Sequence, residues 1–244
     1  MDYEFTFVLP CLNEEKTLVH VINEIKNSIT KYHLNAEILV ADNGSSDNSR
    51  KIAAKNGVRV VIENKKGYGS NLINGTKNAK GKYCIMGDSD GSYDFTNLEK
   101  FIEGVRSGYD LIIGDRFAGG IEKKAMPLSH KIGVRFLSLV ANLFFHTPVH
   151  DYHCGLRAYH RERFLALNLN QPGMEYASEM IIKAQLNHYS ILEVPTILRK
   201  DLRGKGSHLR TIRDGFRHLN LILHLAFHKR KYIINPYEKE KHSI

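Results

Sequence analysis

The chain has 244 residues, which is enough to bury a core of its own and falls in the range of one large domain. Hydrophobic residues make up 42% of it and charged residues 25%, a composition that excludes wholesale disorder. The net charge is +9, and residues 196–244 hold twelve Lys/Arg against four Asp/Glu, a surplus of +8. A nearly neutral body with a basic end predicts an anionic partner at that end, the alternative being solubility alone.

The first ten residues carry acids where a secretory signal carries basic residues, so we expect no signal peptide. Cys11, Cys84 and Cys154 are odd in number and widely separated, which does not suggest a disulfide framework or a zinc site. The best apolar stretch, 219–227, is nine residues long and contains Asn220 and His224, short of the roughly 20 apolar residues that a bilayer span needs. We therefore expect a cytoplasmic protein that does not cross a membrane.

In the first half, short apolar runs rich in β-branched residues alternate with helix-like segments. The predicted strands are 5–10, 37–42, 58–63, 83–88 and 110–115, and the predicted helices are 14–30, 47–56, 69–80 and 95–107. This alternation predicts an α/β fold with a mostly parallel sheet covered by helices on both faces. Ligands in such sheets bind outside the carboxyl ends of the strands. Each predicted strand ends in polar residues, so we expect the chemistry at that edge.

The pattern changes after Gly120. Apolar residues at helical spacing predict a helix ending near residue 145, followed by a helix at 174–188, a strand at 190–195 and a last helix at about 208–230. No linker divides the chain, so we predict one domain at 1–210 and a basic, amphipathic C-terminal helix and tail at 211–244. That helix has the make-up of one lying in a membrane interface, and the alternative is a helix docked on the sheet with a solvated basic face.

The triplet Asp88-Ser89-Asp90 directly follows the fourth predicted strand. Two carboxylates at this spacing can converge on one hard cation, Mg²⁺ or Mn²⁺, which in turn bridges the phosphates of a nucleotide. Such a cation offsets the charge that builds on a departing diphosphate. An Asp-x-Asp alone is weak, since most are surface loops, and its place at a strand end is what strengthens it.

Two further segments predict a nucleotide pocket. Asp42 ends the second strand, where an acid can accept hydrogen bonds from a base or ribose, although the serines after it can instead cap the next helix. The basic turn 65–69 contains Gly67 and brings backbone N–H groups near a ligand. Neither a Walker loop nor a Gly-x-Gly-x-x-Gly follows the first strand, which disfavours kinase-like and dehydrogenase functions.

The motifs VLPCLNEE (8–15), ADNGSSD (41–47) and GDSDGSYDF (87–95) resemble the family-2 glycosyltransferases of the GT-A fold. Later motifs resemble the subgroup that glycosylates polyprenyl phosphates, which includes dolichol-phosphate mannose synthases: GDRF (114–117), DYHCGLRAY (151–159), MEYASEM (174–180), EVP (193–195) and RGKGSHL (203–209). The resemblance implies a Rossmann-like, mostly parallel sheet flanked by helices, with amphipathic helices at the C-terminal end. It also implies inverting, metal-dependent transfer of a hexose from a UDP- or GDP-linked donor.

The resemblance also assigns roles to individual residues. The nucleotide would be held by Pro10, Asn13, Glu14 and Asp42, the metal by Asp88 and Asp90, and the donor diphosphate and acceptor phosphate by Arg116, Arg157, Arg203 and His208. Each has a plainer alternative: Pro10 can end a strand, Asn13 can cap a helix, and the first two arginines can pair structurally with Asp115 and Asp151.

The chain departs from the family at two places. Ser92 stands where the family often has a Gln that is a further metal ligand, and Asp94 is a candidate substitute. Near the C-terminal end, His208 stands where a Lys is common, and Lys205 is the candidate for the missing positive charge. The histidines at 146, 150 and 153 are interpreted as polar surface rather than a metal site.

The resemblance favours transfer to a polyprenyl phosphate at the inner face of a membrane, with an anionic membrane surface and a membrane protein as further partners. A phosphate acceptor is already anionic at pH 7, so Arg116, Arg157, Arg203 and Lys205 would only position and neutralise it. A hydroxyl acceptor would instead need a base, for which Asp151, Glu175 and Glu179 are candidates, although the two glutamates also fit a solvated helix face. A non-catalytic binder of nucleic acid or of an anionic surface is the third hypothesis, and we expect no nucleic-acid partner.

Overall fold

The structure is a computed structural model that describes residues 2–204 and 211–234. Its strands are β1 (Tyr3–Cys11), β2 (Ala36–Asp42), β3 (Arg59–Ile62), β4 (Gly81–Met86), β5 (Leu111–Asp115), β6 (Arg157–His160) and β7 (Ile191–Pro195). All six strands predicted from the sequence are present within two residues of their expected bounds. Only β6 had no counterpart in the prediction.

Helices follow most of the strands in the described part of the chain. They are α1 (Leu18–Lys31), α2 (Ser49–Lys55), α3 (Tyr68–Asn78), α4 (Glu99–Arg106), α5 (Arg116–Gly119), α6 (Leu128–Phe145), α7 (Arg161–Ala166), α8 (Tyr176–Leu186) and α9 (Thr211–Phe227), with a 3₁₀ turn at Lys229–Tyr232. The short helices α5 and α7 were not predicted, because segments of four and six residues are too short for an apolar period to show.

The strands form one seven-stranded sheet in the order β3-β2-β1-β4-β6-β5-β7. The pairs β1–β2, β1–β4, β2–β3 and β5–β7 are parallel, and β6 runs antiparallel to both β4 and β5. The predicted mostly parallel α/β sheet is thus confirmed. Because β6 is reversed, its first residue, Arg157, lies opposite Met86 and Ile113 at the edge where β4 and β5 end.

Burial of apolar faces holds the helices against the sheet. In α1, Leu18, Val21, Ile22 and Ile25 are completely buried, as their helical spacing predicts. Burial of an aliphatic side chain stabilises the fold by roughly 1.5–3 kcal/mol, so this one stripe holds the helix against its neighbours β2 and α2. The carboxyl ends of the parallel strands are thereby held at a common edge.

The C-terminal helices pack on one another beyond that edge. Helix α9 contacts α6 and α8 and buries Leu221, Ile222 and Leu225. The last helix is therefore docked on other helices rather than on the sheet that the second interpretation named, while Phe216 and Phe227 stay exposed. Its location in a membrane interface stays a prediction. Among the described residues, no helix combines the length and apolar character needed to cross a bilayer. The division at residue 210 stays a prediction.

Candidate active site

A cleft of about 390 Å³ lies at the carboxyl edge of the sheet, beside the ends of β1 and β4. Four acidic side chains line it, Glu14, Asp88, Asp90 and Asp214, and we call it the carboxylate cleft. Pro10, Gly67 and Arg203 also line it. The structure thus brings together six of the residues that the sequence pointed to, from four separate segments of the chain.

The Asp88-Ser89-Asp90 loop is locked to the first strand and helix. The Ser89 hydroxyl donates to the Pro10 carbonyl at 2.7 Å, and the Thr17 hydroxyl donates to the Ser89 carbonyl at 2.7 Å. Burial, and then the neighbouring Asp90 charge, raise the pKa of Asp88 to about 6. The fold therefore holds two carboxylates closer than their charges favour.

Arg203 is the counter-ion of this acidic group. Its Nη2 lies 2.9 Å from Asp90 Oδ2, and its Nη1 lies 3.2 Å from Glu14 Oε1. Burial nevertheless raises the pKa of Glu14 to about 7, against the lowering effect of Arg203. Lys66 and Arg217 also line the cleft, but Lys66 Nζ donates to the Asn43 carbonyl and Arg217 pairs with Glu175, so Arg203 is the cation that these carboxylates share. A set of hard carboxylate oxygens with a deficit of positive charge fits Mg²⁺ or Mn²⁺.

Neither Ser92 nor Asp94, the candidate substitute for the missing ligand, supplies a further carboxylate to the cleft. The Ser92 amide donates to Asp90 Oδ1 at 3.0 Å, which orients that side chain. Asp94 accepts from Thr96 at 2.6 Å and pairs with Arg199 at 2.7 Å, so it is engaged elsewhere. The expectation that Asp94 replaces the missing ligand is therefore not supported by its contacts.

Asn13 and Asp42 shape the loop beside the carboxylate cleft. Asn13 has φ of +59°, and its side-chain oxygen accepts from the Ser46 amide at 2.8 Å. Asp42 is fully buried and accepts from the amides of Gly44 and Ser45, both at 3.1 Å. Since α1 begins at Leu18, the alternative that Asn13 caps that helix is wrong.

The basic turn after β3 is packed without space against the segment 171–173. A Cβ on Gly67 would lie 2.1 Å from the Pro172 carbonyl oxygen, and Gly67 has φ of +135°, which favours glycine. A Cβ on Gly69 would lie 2.2 Å from the Gln171 carbonyl oxygen. The glycines are thus needed for this close approach, which sets the wall of the cleft.

Arg116 and Asp151 form a buried ion pair. Arg116 Nε and Nη2 donate to the two carboxylate oxygens at 2.6 and 2.7 Å, and the side chains are 9% and 0% exposed. Asp151 therefore has both oxygens occupied, which is unlike the free carboxylate that a general base requires. The structural alternative for Arg116 is the arrangement observed. Its remaining surface borders an apolar cavity along α6.

Arg157 is completely buried and does not reach the carboxylate cleft. Its guanidinium donates to the carbonyls of Tyr152, Cys154 and Ala177, at 2.8 to 3.0 Å. These bonds tie β6 to the preceding loop and to α8. The structure thus shows a scaffolding role, and the phosphate-binding role implied by the resemblance has no supporting contact.

Glu175 and Glu179 are 4% and 1% exposed, so their interpretation as a solvated face is wrong. Glu175 pairs with Arg217 of α9, which lines the carboxylate cleft. Glu179 pairs with Lys183 at 2.8 Å and accepts from the Gln171 amide at 2.9 Å. The sequence did not identify Arg217 as a site residue, because the pattern of the last helix does not show which of its basic residues faces the cleft.

A crevice of about 130 Å³ between α6 and α9 adjoins the carboxylate cleft. Met174 and Asp214 line both cavities, and Arg116 lies at the wall of the crevice. Its other walls are largely apolar, from Met126 and Leu137 among others. We call it the apolar crevice. Lys205 and His208, the two remaining predicted residues, lie outside the described residues.

A second group of ligand-type side chains lies away from the cleft. Ligand atoms of Asp115, His150 and Glu193 lie within 4.8 Å of one another. Asp115 already caps α5 by accepting from the Phe117 amide at 2.8 Å, and Glu193 accepts from the backbone and ring of His150. These hydrogen bonds stabilise the loop before β6, so they explain why the three side chains lie together. His146 and His150 are exposed, as the interpretation of polar surface predicts. For His153 that interpretation is wrong, because its ring packs against His218 with the two nitrogens 3.2 Å apart.

The sequence pattern described as "Glycosyl transferase family 2" matches residues 6–166 of the chain. Among curated proteins of Haloferax volcanii, the low-salt glycan biosynthesis hexosyltransferase Agl6 is 35% identical over 218 residues, covering 88% of this chain and 52% of its own. The dolichyl-phosphate hexose transferase of the same organism is 30% identical over 202 residues, covering 81% of this chain and 86% of its own. The chain spans about half the length of the first of these relatives.

Solved structures of glucosyl-3-phosphoglycerate synthase from Mycobacterium tuberculosis share the fold. The complex with Mn²⁺, UDP-glucose and phosphoglyceric acid has a TM-score of 0.71 at 18% identity, covering 92% of this chain and 80% of its own. The complex with Mn²⁺, UDP and glucosyl-3-phosphoglycerate has a TM-score of 0.69 at 20% identity, with the same coverage. The GT-A fold implied by the motifs is thereby confirmed.

Proposed function

Since the chain belongs to glycosyl transferase family 2, we propose that it transfers a hexose from a UDP- or GDP-linked donor to a polyprenyl phosphate, with inversion at the sugar. The donor would lie in the carboxylate cleft, with Mg²⁺ or Mn²⁺ held by Asp88 and Asp90. The single observation that carries the proposal is the deficit of positive charge among Glu14, Asp88 and Asp90, which Arg203 alone does not offset.

The donor half of the proposal depends on what lines the cleft. When bound, a divalent cation would offset the negative charge that develops on the departing diphosphate. The chain's own cations at this site are Lys66, Arg203 and Arg217, which line the cleft beside the carboxylates. They would bind and orient the diphosphate by charge-assisted hydrogen bonds. Structures of the same fold with UDP and Mn²⁺ bound support this assignment.

The acceptor half depends on the apolar crevice. An isoprenoid phosphate combines an anionic head with an apolar chain, and the crevice offers apolar walls beside Arg116 and opens next to the donor site. A phosphate oxygen is already ionised at pH 7, so its attack needs no general base. That agrees with Asp151 and Glu175 both being held in ion pairs. The dolichyl-phosphate hexose transferase among the relatives supports the same acceptor class.

The outer face of α6 supports a location at a membrane surface. Leu128, Ile132, Leu139 and Leu143 are 62 to 71% exposed there, and Phe136 is 55% exposed. An exposed apolar stripe of this kind marks a membrane or protein interaction site. Lys131 and Arg135 lie on the same helix beside a cavity that Arg116 also lines. The face would therefore suit an anionic membrane surface, or a membrane protein, at the side where the lipid enters.

The proposal is tested with the purified chain, Mn²⁺, a panel of UDP- and GDP-hexoses, and undecaprenyl or dolichyl phosphate in detergent. We expect one donor to yield a lipid-linked sugar with inverted configuration, and we expect Asp88→Asn to lower its rate of formation strongly. Absence of lipid-linked product with every donor would contradict the acceptor assignment. Transfer to a glycan or small-molecule hydroxyl in the same panel would identify the hydroxyl-acceptor alternative.

The membrane proposal has its own test. The variant Leu139→Glu places a charge in the exposed stripe of α6 without touching the buried side of that helix. The vesicles contain about one third anionic lipid, which gives them a negatively charged surface. We expect less of the variant than of the wild type to sediment with these vesicles. We expect its transfer to a short-chain polyprenyl phosphate in detergent to be retained. Unchanged sedimentation would rule out the α6 face as the membrane contact.

A further inference from the structure

The phenol of Tyr68 is hydrogen bonded to the first carboxylate of the cleft. Its hydroxyl donates to Asp88 Oδ1 over 2.9 Å. Tyr68 itself lines the carboxylate cleft and is the first residue of α3. A tyrosine hydroxyl is a hydrogen-bond donor, whereas an ionised carboxylate only accepts, so the direction of this bond is settled by chemistry. No role has so far been given to this residue.

The backbone around Tyr68 is clamped in place. Gly67 and Gly69, its two neighbours, lie in direct contact with the segment 171–173, and the Ser70 amide donates to the Pro172 carbonyl at 3.1 Å. That segment is held in turn by the buried Glu179 carboxylate, which accepts from the Gln171 amide. Because the backbone on both sides of Tyr68 is held in this way, its phenol is kept in one position.

The opposite side of the Asp88 carboxylate meets a wall. A Cβ built on Gly155 would lie 2.9 Å from Asp88 Oδ2 and 3.1 Å from the Tyr93 ring. The Gly155 amide donates to the Tyr93 hydroxyl at 2.7 Å, which fixes that wall. The carboxylate is thus held from both sides, by a donor on one oxygen and by packing next to the other.

We infer that Tyr68 is a positioning residue, whose hydroxyl holds the Asp88 carboxylate in the orientation in which it binds a divalent cation. The inference rests on the proposed role of Asp88 as a metal ligand. Hydrogen-bond partners of metal ligands fix ligand orientation, and their loss typically lowers metal affinity by about 10–100-fold. Tyr68 is the hydrogen-bond donor that the structure gives to Asp88 Oδ1.

The test measures Mn²⁺ binding rather than turnover. Free Mn²⁺ is followed by electron paramagnetic resonance in the presence of saturating UDP, with the wild-type chain, Tyr68→Phe and Tyr159→Phe. Tyr159 is the matched control, because its buried hydroxyl also has one side-chain partner, Thr76 at 2.8 Å, but lies away from the cleft. We expect the Kd for Mn²⁺ to rise about 10–100-fold in Tyr68→Phe and to stay unchanged in Tyr159→Phe.

Kinetics separate positioning from a general structural effect. In Tyr68→Phe, the Mn²⁺ concentration that gives half-maximal transfer should rise by the same factor as Kd, while kcat at saturating Mn²⁺ is retained. A fall in kcat with unchanged Mn²⁺ dependence would overturn the inference, as would an unchanged Kd. Loss of the hydroxyl can also lower the melting temperature. In that case the Kd for Mn²⁺ is compared between Tyr68→Phe and Tyr159→Phe at a temperature where both are folded, and a rise in Tyr68→Phe alone supports the positioning role.

A double variant separates this inference from the proposed function. If Tyr68 acts through Asp88, its replacement should have no further effect on Mn²⁺ binding in the Asp88→Asn chain, because coupled residues are not additive. If Asp88→Asn binds Mn²⁺ as the wild type does, the proposed metal site fails and the inference fails with it. If Asp88→Asn loses Mn²⁺ binding and Tyr68→Phe does not, only the positioning role of Tyr68 fails.

Discussion

Buried carboxylates are paired with cations differently at the two ends of the sheet. On the side of β1 and β4, Glu14, Asp88 and Asp90 share Arg203, and burial raises the pKa of Glu14 to about 7 and that of Asp88 to about 6. Near β5, β6 and α8, the buried carboxylates of Asp151 and Glu179 each have a cation of their own, Arg116 and Lys183.

The difference separates a binding site from a scaffold. An unpaired buried charge is costly and persists only where a ligand or a function compensates it, whereas a paired one with satisfied hydrogen bonds is stable without a ligand. On this comparison, substitutions among the paired groups should lower the free energy of unfolding. Substitutions in the carboxylate cleft should lower binding and transfer instead.

The largest expected effect is in the scaffold. Asp151→Asn leaves Arg116 buried without a counter-ion, and we expect the free energy of unfolding to fall by about 3–5 kcal/mol. Urea denaturation monitored by circular dichroism measures it. The double variant Arg116→Met with Asp151→Leu should recover part of the loss, because neither charge is then buried. Loss of transfer in Asp151→Asn without loss of stability would contradict this, because Asp151 would then act in binding or transfer rather than in stabilising the fold.

In the carboxylate cleft, Asp88→Asn should lower the rate of transfer by roughly 10²–10³-fold, the usual effect of removing one group that stabilises developing charge. The free energy of unfolding should stay constant or rise, because the folded chain no longer holds a carboxylate whose pKa is raised to about 6. Asp94→Asn is the matched control, since Asp94 is turned toward Thr96 and Arg199. It should retain transfer.

The pH dependence of stability sharpens the comparison through a buried histidine. Burial is the main reason that the pKa of His218 is lowered from 6.5 to about 4, with Arg217 and Arg157 lowering it further and Asp214 opposing them. His218 also contacts Ser178 at 2.9 Å and His153 at 3.2 Å.

Because its pKa is lower in the folded state than in the unfolded state, neutral His218 supports the fold fully above pH 6.5. That support is lost as the pH falls toward 4, and it amounts to on the order of 3 kcal/mol. The variant His218→Gln should flatten the decline of unfolding free energy between those pH values. An unchanged slope in urea titrations at pH 4 to 7 would contradict it.

The smallest expected effect concerns Arg203. Since its guanidinium pairs with Asp90 and Glu14, we expect Arg203→Gln to bind Mn²⁺ alone more tightly, by the few-fold that a partly exposed ion pair is worth. The same variant should bind UDP more weakly, because a cation for the diphosphate is lost. Calorimetric titrations of each ligand measure both changes. Weaker binding of Mn²⁺ alone would show that Arg203 does not compete with the cation.

The sequence by itself determined the layout of the donor half. Strands 5–10, 37–42 and 83–88 lie where their apolar runs predict, and Asp88 and Asp90 follow the fourth strand as expected. Strand and helix patterns depend on residues near one another in the chain, and parallel strands necessarily bring their carboxyl ends to one edge. That is why Glu14 and Asp90, which are far apart in sequence, could be placed in one cleft beforehand.

Only the tertiary structure decided the partners of the remaining charges. The short reversed strand β6 buries Arg157 among backbone carbonyls, and the packing of α9 brings Arg217 to Glu175. The same packing turned the predicted solvated face of α8 into a buried one. Whether a charged residue binds a ligand or a neighbouring charge depends on which non-adjacent segments meet, and no local period in the sequence encodes that.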